Sequence, residues 1–178
     1  MKIGVMCSGN GTNFENIVRS CPDIKVSLMV HNVENCGAKD KAINLGVPHC
    51  CIKSKDEDLI IRTFKALDID LIVLAGWMRI LSPKFIKAFP NKIINIHPSL
   101  LPKYKGLDAV KQALESGDDI TGCTVHYVTE ELDSGDIISQ QEVDILPHHT
   151  LETLTKEVHQ AEYKILPETI QNLNIVSE

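Results

Sequence analysis

The stretch Asp70-Leu-Ile-Val-Leu-Ala75 constrains the fold more than any other part of the chain. After its first residue it has no polar side chain, so as a strand it must be covered on both faces. Such a strand needs helices on either side, the arrangement of an α/β domain built on a parallel sheet. The rest of the sequence supplies the parts. Lys2–Cys7, Ile24–Val30 and Ile93–Ile96 are further short apolar runs that read as strands. Helical stretches lie over Asn13–Ser20, Cys36–Leu45 and Asp56–Leu67. Gly46 and Pro48 stop the second, and Asp56 or Ser54 is the expected N-cap of the third. The alternation predicts a mostly parallel, twisted sheet with helices on both faces.

The second half changes period. Thr121–Val128 and Asp136–Val143 alternate on either side of the turn Leu132-Asp-Ser-Gly135, which predicts an antiparallel strand pair. A long helix is expected over Thr150–Leu173, bent or split at Pro167. No repeat, low-complexity stretch or linker divides the 178 residues, so 1–178 is expected to form one domain.

Composition narrows the function classes. The net charge of −6 disfavours a protein whose main task is gripping nucleic acid, but leaves room for a local anion pocket. No run approaches the ~20 apolar residues of a membrane span. The apolar start is too short for a signal peptide. Six cysteines include no CxxC pair and no zinc-finger spacing, so reduced buried thiols and a cytoplasmic location are expected. Cys50 and Cys51 should point to opposite faces of a strand.

Ligands of open α/β sheets collect beyond the carboxyl ends of the strands, and three ends carry unusual residues. After Lys2–Cys7 comes Ser8-Gly-Asn-Gly-Thr-Asn13, running into a helix. Glycines and a helix N-terminus suit a phosphate; the alternative is a tight turn capped by Thr12 or Asn13. A side chain at Gly11 is expected to stand where that phosphate would sit. After Ala75 comes Gly76-Trp-Met-Arg-Ile-Leu-Ser-Pro83, which can line a pocket for a flat heterocycle or simply cap the core. The third end reads Ile93-Ile-Asn-Ile-His-Pro-Ser-Leu-Leu-Pro102. Asn95 and His97 share one strand face there, and two polar groups on a buried face need partners. Pro98 and Pro102 stiffen the segment after the strand. Asp133, in a turn, offers a carboxylate, although turn aspartates commonly serve only the turn. His126 reads as supporting structure, and His148-His149 as a cap region rather than a metal site.

The segments Cys7-Ser-Gly-Asn-Gly-Thr-Asn13, Leu74-Ala-Gly-Trp-Met-Arg-Ile-Leu81, Asn95-Ile-His-Pro-Ser-Leu-Leu-Pro102 and Glu131-Leu-Asp-Ser-Gly135 resemble the single-domain phosphoribosylglycinamide formyltransferase family, in order and along essentially the whole chain. The resemblance implies a Rossmann-like formyltransferase fold. It implies formyl transfer from 10-formyltetrahydrofolate to 5-phosphoribosylglycinamide in purine biosynthesis, with no metal and no nicotinamide cofactor. It places the catalytic triad at Asn95, His97 and Asp133. It puts the substrate phosphate on Gly11, Thr12 and Asn13, and the ribosyl contact at Glu162 with His159, Gln160 and Ala161 beside it. The folate pterin falls to Met78, Arg79, Ile80 and Leu81, to Asn95, and to Thr129, Glu130, Glu131, Leu132 and Asp133. Lys55 stands in for an Arg that contacts the folate tail, and Asp108 stands where many members have His. Related folate hydrolases and a tRNA formyltransferase share the Asn-His-Pro core but carry an extra domain that this sequence is not expected to have. No nucleic acid or membrane partner is expected, and a homodimer is left open.

Overall fold

The computed structural model describes residues 1–173 and contains one seven-stranded sheet. In chain order the strands are β1 (Lys2–Cys7), β2 (Lys25–His31), β3 (His49–Cys51), β4 (Leu71–Leu74), β5 (Ile93–His97), β6 (Ile120–Tyr127) and β7 (Ile137–Asp144). The helices are α1 (Thr12–Ser20), α2 (Gly37–Leu45), α3 (Glu57–Ala66), α4 (Pro83–Ala88), α5 (Ala109–Ser116) and α6 (Leu151–Asn172). The sheet order is β3-β2-β1-β4-β5-β6-β7. The first five strands pair in parallel, and β5–β6 and β6–β7 pair antiparallel. The expected parallel sheet with an antiparallel C-terminal pair is therefore present, extended by one further antiparallel pairing to β5.

Alternation along the strands divides the core in two. Ile3, Val5, Leu71, Val73, Ile94 and Ile96 pack beneath α1, α2, α5 and α6. Met6, Ile72, Leu74 and Ile93 pack on the other face beneath Phe64 of α3 and Phe85 of α4. The chain leaves β1 toward β2 and returns on its other side at β4, so the topological switch point lies between β1 and β4. A ligand crevice is expected there.

Local signals account for most element ends. Gly46 closes α2 in the left-handed conformation. Asp56 precedes α3 as expected, but its side chain makes no capping bond. Thr150 and Thr153 form a capping box at the start of α6. That helix runs continuously through Pro167, so of the two expected outcomes, a bend or a split, the split does not occur. Proline has no N–H for the Tyr163 carbonyl, and the Asn16 side-chain amide of α1 donates to that carbonyl instead. The short helices α4 and α5 and the edge strand β3 carry too few residues for a clear periodic signal. Cys7, Cys21, Cys36 and Cys123 are buried as expected, but Cys51 is exposed on edge strand β3. Among the described residues no helix is long and apolar enough to cross a membrane.

Candidate active site

A cavity of about 1220 Å³ opens at the carboxyl edge of the sheet, over the switch point. The loops after β1, β4, β5 and β6 and one face of α6 line it.

At its centre are Asn95 and His97. The period of two along β5 sets both on the face shared with Ile93. Asn95 pairs across the sheet with His126 of β6, beside a register shift between Val125 and His126. Bulges of this kind re-aim side chains next to functional sites. His126 is almost fully buried. Its Nδ1 lies 2.9 Å from the Tyr127 carbonyl, so Nδ1 carries the proton and donates. Nε2, 3.3 Å from Asn95 Nδ2, then accepts from the amide. This contact assigns which end of the Asn95 amide faces His126. Burial pushes the His126 imidazole below its ordinary range, against the opposing pull of the Tyr127 carbonyl and Asp133, and so favours this neutral form.

His97 is placed differently. Nε2 lies 2.8 Å from the Tyr104 carbonyl, and Nδ1 lies 3.5 Å from Asp133 Oδ2. Nε2 donates to that carbonyl, while Nδ1 stands at ion-pair distance from Asp133 without a hydrogen bond to it. Asp133 enters from the β6–β7 connection in the left-handed region, at φ 48°. An aspartate tolerates that conformation. Its side chain is only 7% exposed, Oδ2 also accepts the Gly106 N–H at 2.8 Å, and Oδ1 lies 3.8 Å from His126 Nε2. Asn95, His97 and Asp133 are thus brought together. His126, read from sequence as supporting structure, touches two of the three. Its signal was a histidine within a strand that carries no Asp, Glu, Lys or Arg.

One end of the cavity is built for an anion. Gly11 is the N-cap of α1 at φ 71°, and no side chain caps the helix. The first-turn N–H groups are therefore available to a ligand. Thr12 and Asn13 lie inside the helix, so the alternative of a turn capped by one of them does not hold. A Cβ on Gly11 would stand 2.6 Å from Ala38 Cα, not in the cavity. Gly11 is thus required by α2 and by its own backbone. At Gly9 a Cβ meets nothing within 4 Å.

Glu162 closes this end from α6. It is 6% exposed, accepts from Asn13 Nδ2 at 3.2 Å, and burial raises its carboxyl from 4.5 to about 7. His159 and Tyr163 line the cavity on the same helical face. Gln160 and Ala161 do not line it, which corrects their place in the expected contact set: only neighbours three and four apart share a helix face.

The other end is formed by two loops that mix apolar and polar residues. Met78, Arg79, Ile80 and Leu81 line it from the β4 loop, and Thr129, Glu130, Glu131 and Leu132 from the β6 loop. The Met78 N–H donates to Ser8 Oγ at 2.9 Å, which ties the β4 loop to the glycine loop. Met78, Ile80, Leu107 and Leu132 are each at least half exposed, an apolar rim suited to a covering ligand. Trp77 is both core and lining, so its two sequence readings hold together. Lys55 lies outside the main cavity, in an adjoining groove of about 840 Å³ with Arg62 and Lys84; Ile80 and Leu81 line both. Asp108 lines the cavity as the left-handed N-cap of α5. Among the described residues no group of three or more His, Cys, Asp or Glu is placed to hold a metal ion.

Residues 1–170 match the family model described as formyl transferase. The chain is 40% identical over 181 residues to phosphoribosylglycinamide formyltransferase of Haemophilus influenzae, an alignment covering 96% of this chain and 85% of that one. It is 38% identical over 183 residues to the Bacillus subtilis protein of the same name, covering 97% and 94%. Among solved structures, the phosphoribosylglycinamide formyltransferase of Anaplasma phagocytophilum superposes with a TM-score of 0.94 at 38% identity, covering 96% of this chain and 85% of that one.

Proposed function

The chain belongs to the formyl transferase family, and on that premise we propose that it transfers a formyl group from 10-formyltetrahydrofolate to the amine of 5-phosphoribosylglycinamide, a step of purine biosynthesis. One observation carries this reading. A single cavity joins an uncapped helix N-terminus to the Asn95, His97 and Asp133 cluster and continues between the loops after β4 and β6 under an apolar rim.

Each end fits one substrate. The α1 N-terminus and the glycine loop hold the ribonucleotide phosphate through N–H groups and the helix dipole. Glu162 accepts from ribose hydroxyls beside Asn13. The backbone of 78–81 and 129–132 pairs with a flat, hydrogen-bonding heterocycle, and the apolar rim covers it. Lys55, in the adjoining groove, takes the anionic folate tail as a point charge, without the fork of an arginine.

The chemistry falls between. Attack of the amine places negative charge on the formyl oxygen. Asn95 donates to that oxygen through an amide hydrogen not used by His126, and protonated His97 donates beside it through Nδ1, the ring nitrogen not engaged by the Tyr104 carbonyl. The Asp133 carboxylate, beside His97, holds a water that relays the amine proton to the leaving nitrogen. The phosphate, held away from the reacting atoms, supplies binding energy for orientation. These roles need neither a metal nor a covalent enzyme intermediate. On this reading the chain acts as one cytoplasmic catalytic domain on small-molecule substrates.

The test is an assay of 10-formyltetrahydrofolate turnover with and without 5-phosphoribosylglycinamide. Turnover that requires the ribonucleotide, with formylated product, is expected. Equal turnover in buffer alone would make the protein a folate hydrolase.

A further inference from the structure

Residues 103–106 form a short strap across the catalytic cluster. The Tyr104 carbonyl accepts from His97 Nε2 at 2.8 Å, and the Gly106 N–H donates to Asp133 at 2.8 Å. One segment therefore sets both groups. It belongs to no helix or strand, and Tyr104 sits in the left-handed region at φ 55°. A non-glycine residue there is strained and persists only when its surroundings hold it.

One hold on the strap from outside the cavity is Asp118. Its Oδ2 accepts from the Tyr104 hydroxyl and from Lys103 Nζ, the latter at 2.8 Å. Asp118 is itself fixed. It comes directly after Gly117, which ends α5 in the left-handed conformation, and its N–H donates to Ser116 Oγ at 3.0 Å. It does not line the cavity.

We propose that Asp118 is a positioning residue: its carboxylate clamps the 103–106 strap through Tyr104, so that the Tyr104 carbonyl holds the His97 ring in its working orientation. The proposal rests on the reading of His97 as a catalytic group. It requires both anchors of the strap, since a free Tyr104 would leave His97 Nε2 without its acceptor. Buried Ser99 donates to the Lys103 carbonyl at 2.5 Å and, more weakly, to the Tyr104 carbonyl at 3.4 Å, so it steadies the strap from the inner side while Asp118 holds the Tyr104 side chain from outside.

The experiment compares Asp118→Ala, Asp118→Asn, Tyr104→Phe and the double variant Asp118→Ala with Tyr104→Phe. In Asp118→Ala, kcat should fall by about tenfold, the scale of a small misplacement of a catalytic group, while both KM values stay within about twofold. Asp118→Asn keeps an acceptor for the Tyr104 hydroxyl and should recover part of the loss. The double variant should be no slower than Asp118→Ala, because the two changes break the same link. The nitrogen NMR signal of His97 Nε2 should also move in Asp118→Ala, a change that a remote structural role would not produce. Wild-type kcat in Asp118→Ala, or losses that multiply in the double variant, would overturn the proposal. Should the wild-type protein itself lack formyl transfer, the functional reading fails, and the His97 signal alone then decides whether the clamp exists.

Discussion

Asp133 Oδ2 stands 3.5 Å from His97 Nδ1, and both side chains are 7% exposed. One residue ends β5 and the other lies in the connection between β6 and β7, yet together they form a shielded pair. Replacing Asp133 with Asn keeps the shape and removes the charge. We expect kcat to fall by ~10²-fold or more, with both KM values changed much less. Steady-state kinetics on a variant with unaltered thermal unfolding is the check, and full activity would remove Asp133 from the chemistry.

The glycine loop separates structure from binding at two neighbouring positions. Gly11→Ala meets Ala38 and an unfavourable φ, so it should destabilise the fold by more than about 1 kcal/mol. Gly9→Val meets nothing in the protein but crowds the cavity lining. It should leave the melting temperature nearly unchanged and raise the ribonucleotide KM by about tenfold, with the folate KM unaffected. Thermal unfolding and paired KM measurements would show the contrast, and equal KM changes for both substrates would make the loop purely structural.

Glu162 links stability to pH. Burial raises its carboxyl from 4.5 to about 7, so folding takes up a proton between those values. Its contribution is fully favourable below about 4.5, is lost as pH rises toward 7, and stays lost above. Glu162→Gln removes this dependence. The melting temperature of the variant, relative to wild type, should therefore be higher at pH 8 than at pH 5.5, by about 2 °C or more. The same variant should bind the ribonucleotide less well, because the amide accepts ribose hydroxyls more weakly. An offset that does not change with pH would show that the carboxyl is not held uncharged by burial.

His126 orients Asn95 through a ring nitrogen that must stay unprotonated. His126→Phe keeps an aromatic ring but frees the Asn95 amide to turn. We expect kcat to fall by about tenfold, on the order of weakening one oxyanion donor, with the ribonucleotide KM nearly unchanged. A variant with wild-type kcat would confine His126 to packing.

The sequence by itself determined the layered α/β architecture, because an apolar run such as Leu71–Leu74 can only be a strand covered on both faces. It also determined that Asn95 and His97 share one face of their strand, since a period of two leaves them no other arrangement, and it marked the glycine loop as a turn into a helix. The tertiary structure decided what depends on distant partners. Asn16 reaches the Tyr163 carbonyl that Pro167 leaves free, so α6 continues where local rules predict a bend or a split. Ala38 explains Gly11. The antiparallel pairing of β5 with β6 sets His126 against Asn95, and the left-handed turn at Asp133 aims its carboxylate at His97. Local pattern records each residue's own backbone preference and burial. Which side chain meets which across the sheet depends on register and loop path, which only the folded chain specifies.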